Sequence, residues 1–153
     1  MKEFDYSLDY KNLDFTDLNT KKLYRIGRGE QGVLLVRPYT DDICRHWRFK
    51  DVDTARKSST KIYEMYCDYK RQKDFIGMDM ARKFLEMGFT RARRYANHKS
   101  GQKYDSSGSV LPQEKDALVS VKAMAANIFK EVRDNVAYDP EYVKMRKEWR
   151  SFE

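Results

Sequence analysis

Cysteine is scarce in this sequence. There are two in 153 residues, Cys44 and Cys67, and neither belongs to a CxxC or a Cys/His cluster. No zinc centre is expected, because such a site needs four closely convergent ligands. Long apolar runs are also missing, and none approaches the roughly 18 residues of a membrane span. The opening residues are acidic and polar, so no secretory leader is expected. These absences point to a reducing, cytoplasmic setting with no membrane contact, no metal and no cofactor. Helix-turn-helix, zinc-finger and RNP patterns are lacking as well.

What is present is charge and aromatic area. Lys and Arg number 31 against 24 Asp and Glu, for a net charge of +7. Hydrophobic residues make up 41% and aromatics 14%, with 11 tyrosines. That is too much apolar area for a disordered chain, and the length suits one domain over 1–153 with a core of its own. A basic balance favours an anionic partner, nucleic acid or a smaller anion. Oligomeric state is not legible.

The positive charge is local. Residues 1–20 hold five acids against two lysines. Segment 114–153 holds eight of each sign, so it is neutral. Between Gly77 and Tyr104 stand Arg82, Lys83, Arg91, Arg93, Arg94, Lys99 and Lys103, opposed only by Asp79 and Glu86. Three arginines within four positions repel one another unless an anion lies near. Arg forks suit phosphate or carboxylate bidentately. The candidate binding residues are therefore Arg91, Arg93, Arg94, His98, Lys99 and Lys103. Arg48 joins them from the segment His46-Trp47-Arg48-Phe49-Lys50, where aromatics that stack on bases alternate with cations. Trp47 and Phe49 equally suit a role as core anchors.

A second candidate is the stretch Ile26-Gly27-Arg28-Gly29-Glu30-Gln31-Gly32-Val33. Gly27, Gly29 and Gly32 match GxGxxG, but Val33-Leu34-Leu35-Val36 follows where a dinucleotide site needs a helix. A kinase-like hairpin is unsupported too, for no VAIK lysine, HRD loop or DFG follows. The turn can offer free N–H groups to a phosphate, or its glycines serve only to supply positive φ in a hairpin.

Periodicity predicts an α+β fold. Phe4, Tyr6, Leu8 and Tyr10 alternate as in a strand, so residues 1–20 read as an acidic arm or edge strand. Residues 23–37 read as strand, glycine turn and strand. This small antiparallel sheet or hairpin over 4–37 is expected to pack on three to four helices. The first runs over 53–73, capped by Asp53 or Thr54. The second runs over about 77–98, with a break possible at Gly88. The third spans 114–137, and the fourth begins at Asp139-Pro140, a cap followed by an N1 proline. Residues 105–113 are expected to be a flexible loop.

Three stretches together resemble the domain of unknown function family 4385. They are LYRIGRGEQGVLLVRPY (23–39), HWRFK with the helix after it (46–59), and FIGMDMARKFLEMGFTRARRYANHKSGQKYD (75–105). The resemblance runs from about residue 4 and implies a single compact intracellular domain. It transfers no catalytic or binding residue. Three functions follow from the residues. One is a domain that binds nucleic-acid phosphates. The second is an enzyme or sensor for a small phosphorylated or carboxylated metabolite, drawing on the glycine turn, His46, Arg91, Arg94 and His98. The third is a structural protein whose acidic arm neutralises its own arginines.

Overall fold

The computed structural model describes residues 2–153, and every regular element among them is helical. Six α-helices follow in order: α1 (Leu18–Lys21), α2 (Tyr39–Cys44), α3 (Val52–Arg71), α4 (Phe75–Asn97), α5 (Val121–Ala137) and α6 (Pro140–Ser151). A single 3-10 turn covers Tyr10–Asn12. The only pairing of extended backbone among these residues is an isolated bridge between Tyr104 and Val110. The expected α+β fold with an N-terminal sheet is thus overturned.

The reason lies in where the N-terminal N–H groups and rings go. Asp5 and Asp14 accept backbone and hydroxyl donors from Ser7 and Thr16, two residues on, which are turn bonds rather than ladder bonds. Phe4 stacks on Tyr10 at 5.4 Å, and Tyr10 on Phe15 at 6.0 Å, so the alternating aromatics pack on one another. Over 23–37 the second expected strand is a run of i→i+3 turns: Gln31 N donates to Arg28 O, Val33 N to Glu30 O and Leu35 N to Gly32 O. Thr40 then ties this run to α2, accepting from Val36 N and donating to Val33 O, both at 2.9 Å.

Each long helix starts on a side chain that satisfies an otherwise orphan amide, worth about 1 kcal/mol apiece. Asp51 accepts from Thr54 N at 2.8 Å, so the cap is Asp51 rather than Asp53 or Thr54, and α3 starts at Val52, one residue before the expected start. Asp74 caps α4 through Gly77 N, and Ser120 caps α5 through Ala123 N. The third helix therefore begins at Val121, not 114, with turns before it. Asp139 caps α6 with Pro140 at its first position, as expected. Its other oxygen accepts from Tyr66 Oη and Lys70 Nζ, both at 2.7 Å, which fastens the α5–α6 corner to α3.

α4 is the central helix and packs against α2, α3, α5 and α6. From Phe75 to Leu85 every residue is buried, so this half of the helix has no solvent face. Beyond Leu85 it becomes amphipathic, with Ala92 and Ala96 inward and Arg91 and Arg94 outward. The helix does not break at Gly88. The missing Cβ there is filled by the Phe129 ring of α5, a close contact of helix on side chain. No helix among the described residues is long and apolar enough to cross a membrane.

Candidate functional site

The enclosed half of α4 carries three charges, Asp79, Arg82 and Lys83, at i, i+3 and i+4. Asp79 and Lys83 have no exposed surface. Asp79 Oδ1 accepts from Arg82 Nε at 2.8 Å and from Tyr142 Oη of α6 at 2.6 Å. Its Oδ2 accepts from Tyr24 Oη and lies 3.9 Å from Lys83 Nζ. Arg82 also donates through Nη1 to Gly29 O at 3.0 Å, while Nη2 is buried without a partner. Lys83 Nζ donates to Gln31 O at 2.6 Å and sits 5.0 Å and 4.9 Å from the ring centres of Phe4 and Tyr24. One ionic knot thus ties the sheetless N-terminal segment and α6 to the core helix.

Electrostatics follow from this enclosure. Burial raises the Asp79 carboxyl, but Arg82, Lys83 and the hydrogen bonds overcome it and bring it down to about 2. Burial pulls the Lys83 ammonium down to about 7, and Asp79 only partly opposes it. The phenols of Tyr24 and Tyr142 are raised by burial and by the Asp79 charge beside them. None of Asp79, Arg82 and Lys83 lines the cavities described below, so the knot acts on structure. It was missed at the level of sequence, where Arg82 and Lys83 counted as part of the basic face. The available signal was that every uncharged neighbour from Phe75 to Leu85 is apolar, or a glycine, on all sides of the helix.

The glycine turn faces the same way. Gly27, Gly29 and Gly32 do take positive φ, at 68°, 52° and 77°. Its carbonyls meet cations: Gly27 O accepts from Arg150 Nη2 at 3.0 Å, and Gly29 O from Arg82. Arg28 N donates to Gln31 Oε1 and Gly32 N to Tyr6 Oη, at 2.9 Å and 3.1 Å. A phosphate cradle presents N–H groups outward, and this turn presents carbonyls inward. A cavity of about 380 Å³ beside it is lined by Arg28, Glu30, Gly32 and Arg91 among others. The turn therefore meets one of the candidate arginines. Arg94, His98, Lys99 and Lys103 do not line that cavity.

The remaining candidates sort by exposure. Arg91, Arg94, Lys99 and Lys103 are exposed, and none pairs with a carboxylate among the described residues. Arg93 is half-buried and donates to Ala117 O at 2.7 Å, holding the loop that leads to α5. His98 is buried, with Nδ1 3.2 Å from Pro112 O, and its backbone closes α4. Lys99 N donates to Glu114 Oε1 at 3.0 Å. Arg48 bonds the carbonyls of Trp47 and Cys44 beside it. Trp47 packs edge-on to Phe84 of α4, and Phe49 against Tyr95, so both act as anchors. The acidic arm does not reach the arginines of α4. Glu3 pairs with Arg28, and Asp5, Asp9, Asp14 and Asp17 accept from their own neighbours. No group of three or more His, Cys, Asp or Glu among the described residues is placed to hold a metal.

Fold and site together define a small helical protein closed around a buried ionic knot, with a basic face at one end of its central helix. The chain belongs to the family described as domain of unknown function (DUF4385), whose model matches residues 5–152. Comparison with curated proteins and with solved structures gives no match.

Proposed function

We propose that the protein binds nucleic acid through its phosphate backbone, on the face carrying Arg91, Arg94, Lys99 and Lys103. The observation that supports this is the exposure of these four cations without a carboxylate partner among the described residues, beside the exposed rings of Tyr95 and Tyr104. Unpaired charge of one sign, here Arg91 and Arg94 on the last turns of α4 and Lys99 and Lys103 on the loop after it, is the electrostatic footprint of a phosphate-binding face. The Tyr104 ring offers a π-face on which a splayed base stacks whatever its sequence, whereas Tyr95 already packs on Phe49 and Lys122. Backbone rather than base-edge contacts are expected, since no groove-reading element is present. A small-metabolite site built from the turn and these cations is less favoured, because only Arg91 reaches the concave region beside the turn. The free thiols of Cys44 and Cys67 fit a reducing, cytoplasmic setting for this role.

The test is fluorescence anisotropy with labelled single- and double-stranded oligonucleotides across a salt series. The expected result is an affinity that falls steeply between about 50 and 200 mM salt. Binding that is absent, or that is unchanged across that range, overturns the proposal.

A further inference from the structure

The N-terminal segment and the end of α6 border an open cavity of about 500 Å³, within the roughly 300–1,000 Å³ typical of small-molecule sites. It is lined by Lys2, Lys22, Tyr24, Arg25, Trp149, Phe152 and Glu153. This cavity lies at the Phe75 end of α4, because Trp149 stacks on Phe75 with ring centres 5.3 Å apart. The basic face sits at the other end of that 23-residue helix, about 30 Å away at 1.5 Å per residue.

Three features of the cavity select its occupant. The first is a fixed aromatic wall. Trp149 Nε1 donates to Tyr24 O at 2.9 Å, its ring meets Tyr24 edge-on at 6.0 Å and one of its faces stacks on Phe75, so the indole is fixed and has one face left for a ligand. The second is a free aromatic surface. Phe152 is 88% exposed on the rim and has no aromatic partner among the described residues. An exposed ring beside a held one suits a flat ligand, because stacking needs a rigid partner and an available one.

The third feature is charge. Lys2, Lys22 and Arg25 form no ion pair among the described residues. The one acid in the lining, Glu153, turns its carboxylate into the protein. Its Oε1 accepts from Ile26 N at 3.0 Å, and its Oε2 is buried 3.5 Å from Arg150 Nη1. The unpaired side-chain charges among the lining residues are therefore all positive. An uncharged apolar occupant would gain nothing from these three cations, of which Lys2 and Lys22 are exposed, whereas an anion would pair with them.

We infer that this cavity binds a nucleoside monophosphate, with its ring against Trp149 and Phe152 and its phosphate held by Lys22, Arg25 and Lys2. The volume takes one such molecule, the walls supply its ring contacts, and the cations supply its charge contacts. The site is separate from the proposed nucleic-acid face and stands or falls without it.

Isothermal titration of the full chain with AMP, adenosine and ribose 5-phosphate tests this. AMP is expected to bind with saturation at one per chain. Adenosine, lacking the phosphate, and ribose 5-phosphate, lacking the ring, are each expected to bind about tenfold more weakly or worse, the loss of one charged or stacking contact. Lys22→Ala with Arg25→Ala is expected to weaken AMP about tenfold and leave adenosine unchanged. Phe152→Ala, at an exposed position that the fold does not need, is expected to weaken AMP and adenosine alike. Arg91→Ala with Arg94→Ala is expected to leave all three unchanged. No saturable AMP binding at roughly 1 mM, the weak end of the affinity scale, overturns the inference. So does ribose 5-phosphate binding as tightly as AMP, or AMP binding that ignores both sets of cavity substitutions.

Discussion

Tyr142 of α6 donates its phenolic proton to Asp79 of α4 at 2.6 Å, 63 residues away, and both residues are buried completely. The same carboxylate receives Tyr24 and Arg82, so one side chain joins three parts of the chain. Removing it leaves Arg82 as an uncompensated cation in the core and takes from Lys83 the charge that helps hold its proton. Asp79→Ala is expected to cost about 3–5 kcal/mol, the range for breaking a buried ion pair from one side. Tyr142→Phe keeps the ring packing against Phe75 and deletes one hydrogen bond to a charged group, so about 1.5–3 kcal/mol is expected. Urea unfolding of both variants checks this. A loss for Asp79→Ala no larger than that for Tyr142→Phe would place the weight on packing instead.

Lys83 makes stability depend on pH in an uncommon direction. Burial lowers its ammonium from 10.5 to about 7, so between those values the unfolded chain binds a proton that the folded chain does not. Stability then rises with pH across that window, at up to about 1.4 kcal/mol per pH unit. The buried phenols act at the upper end. Tyr24 and Tyr142 are raised above 10, so their contribution is present below 10 and is lost on further alkalisation. Asp79 acts on the acid side, with stability present above 3.8 and lost toward about 2. The unfolding free energy is expected to increase from pH 7 to 9, and Lys83→Met is expected to flatten that increase. A wild-type profile already flat over pH 7–9 would contradict it.

The helical two-thirds of the fold was legible because 3–4 spacing holds there, although of the expected caps only that of α6 agrees. Asp139-Pro140 marked α6 to the residue, and the apolar stripe of Met78, Ala81, Leu85 and Ala92 marked α4. The first third was not. Phe4, Tyr6, Leu8 and Tyr10 alternate as a strand does, yet Phe4 and Tyr10 are drawn inward by ring stacking while Tyr6 stays exposed. Alternation here marked neither a common buried face, since Tyr6 is exposed, nor a neighbouring strand to supply the hydrogen bonds. Arg91, Arg94, Lys99 and Lys103 were legible as an exposed basic group. Arg93 and His98, counted in the same basic cluster, are taken up by Ala117 O and Pro112 O in a loop whose path no periodicity reveals. Arg82 and Lys83 were misplaced because charge was weighed before enclosure.

Gly88 shows how one missing methyl group sets helix distance. A Cβ there would overlap the Phe129 ring, which is fully buried between α4 and α5. Alanine improves helix propensity by about 1 kcal/mol, but overpacking of a filled core costs roughly 1–3 kcal/mol. Gly88→Ala is therefore expected to destabilise on balance. Pairing it with Phe129→Leu, which frees space at the contact, is expected to recover part of what each change loses alone. Thermal melts of the two single variants and the double variant measure that coupling. Strict additivity would mean the two positions do not share the contact.

Arg91, Arg93 and Arg94 stand within four positions and are expected to behave differently. Arg91 and Arg94 are exposed, so Arg91→Ala with Arg94→Ala should change stability by no more than about 0.5 kcal/mol per site. If both neutralise a phosphate of duplex DNA, the slope of log affinity against log salt should become shallower by about 0.9 for each. Arg93 instead holds Ala117 O, so Arg93→Ala is expected to lower stability by about 1–3 kcal/mol through the orphaned carbonyl, with the salt slope nearly intact. Anisotropy titrations at four salt concentrations, with a melt of each variant, separate the two roles. An Arg93 variant that flattens the slope as much as the Arg91 and Arg94 pair would move the phosphate contacts onto the loop side of α4.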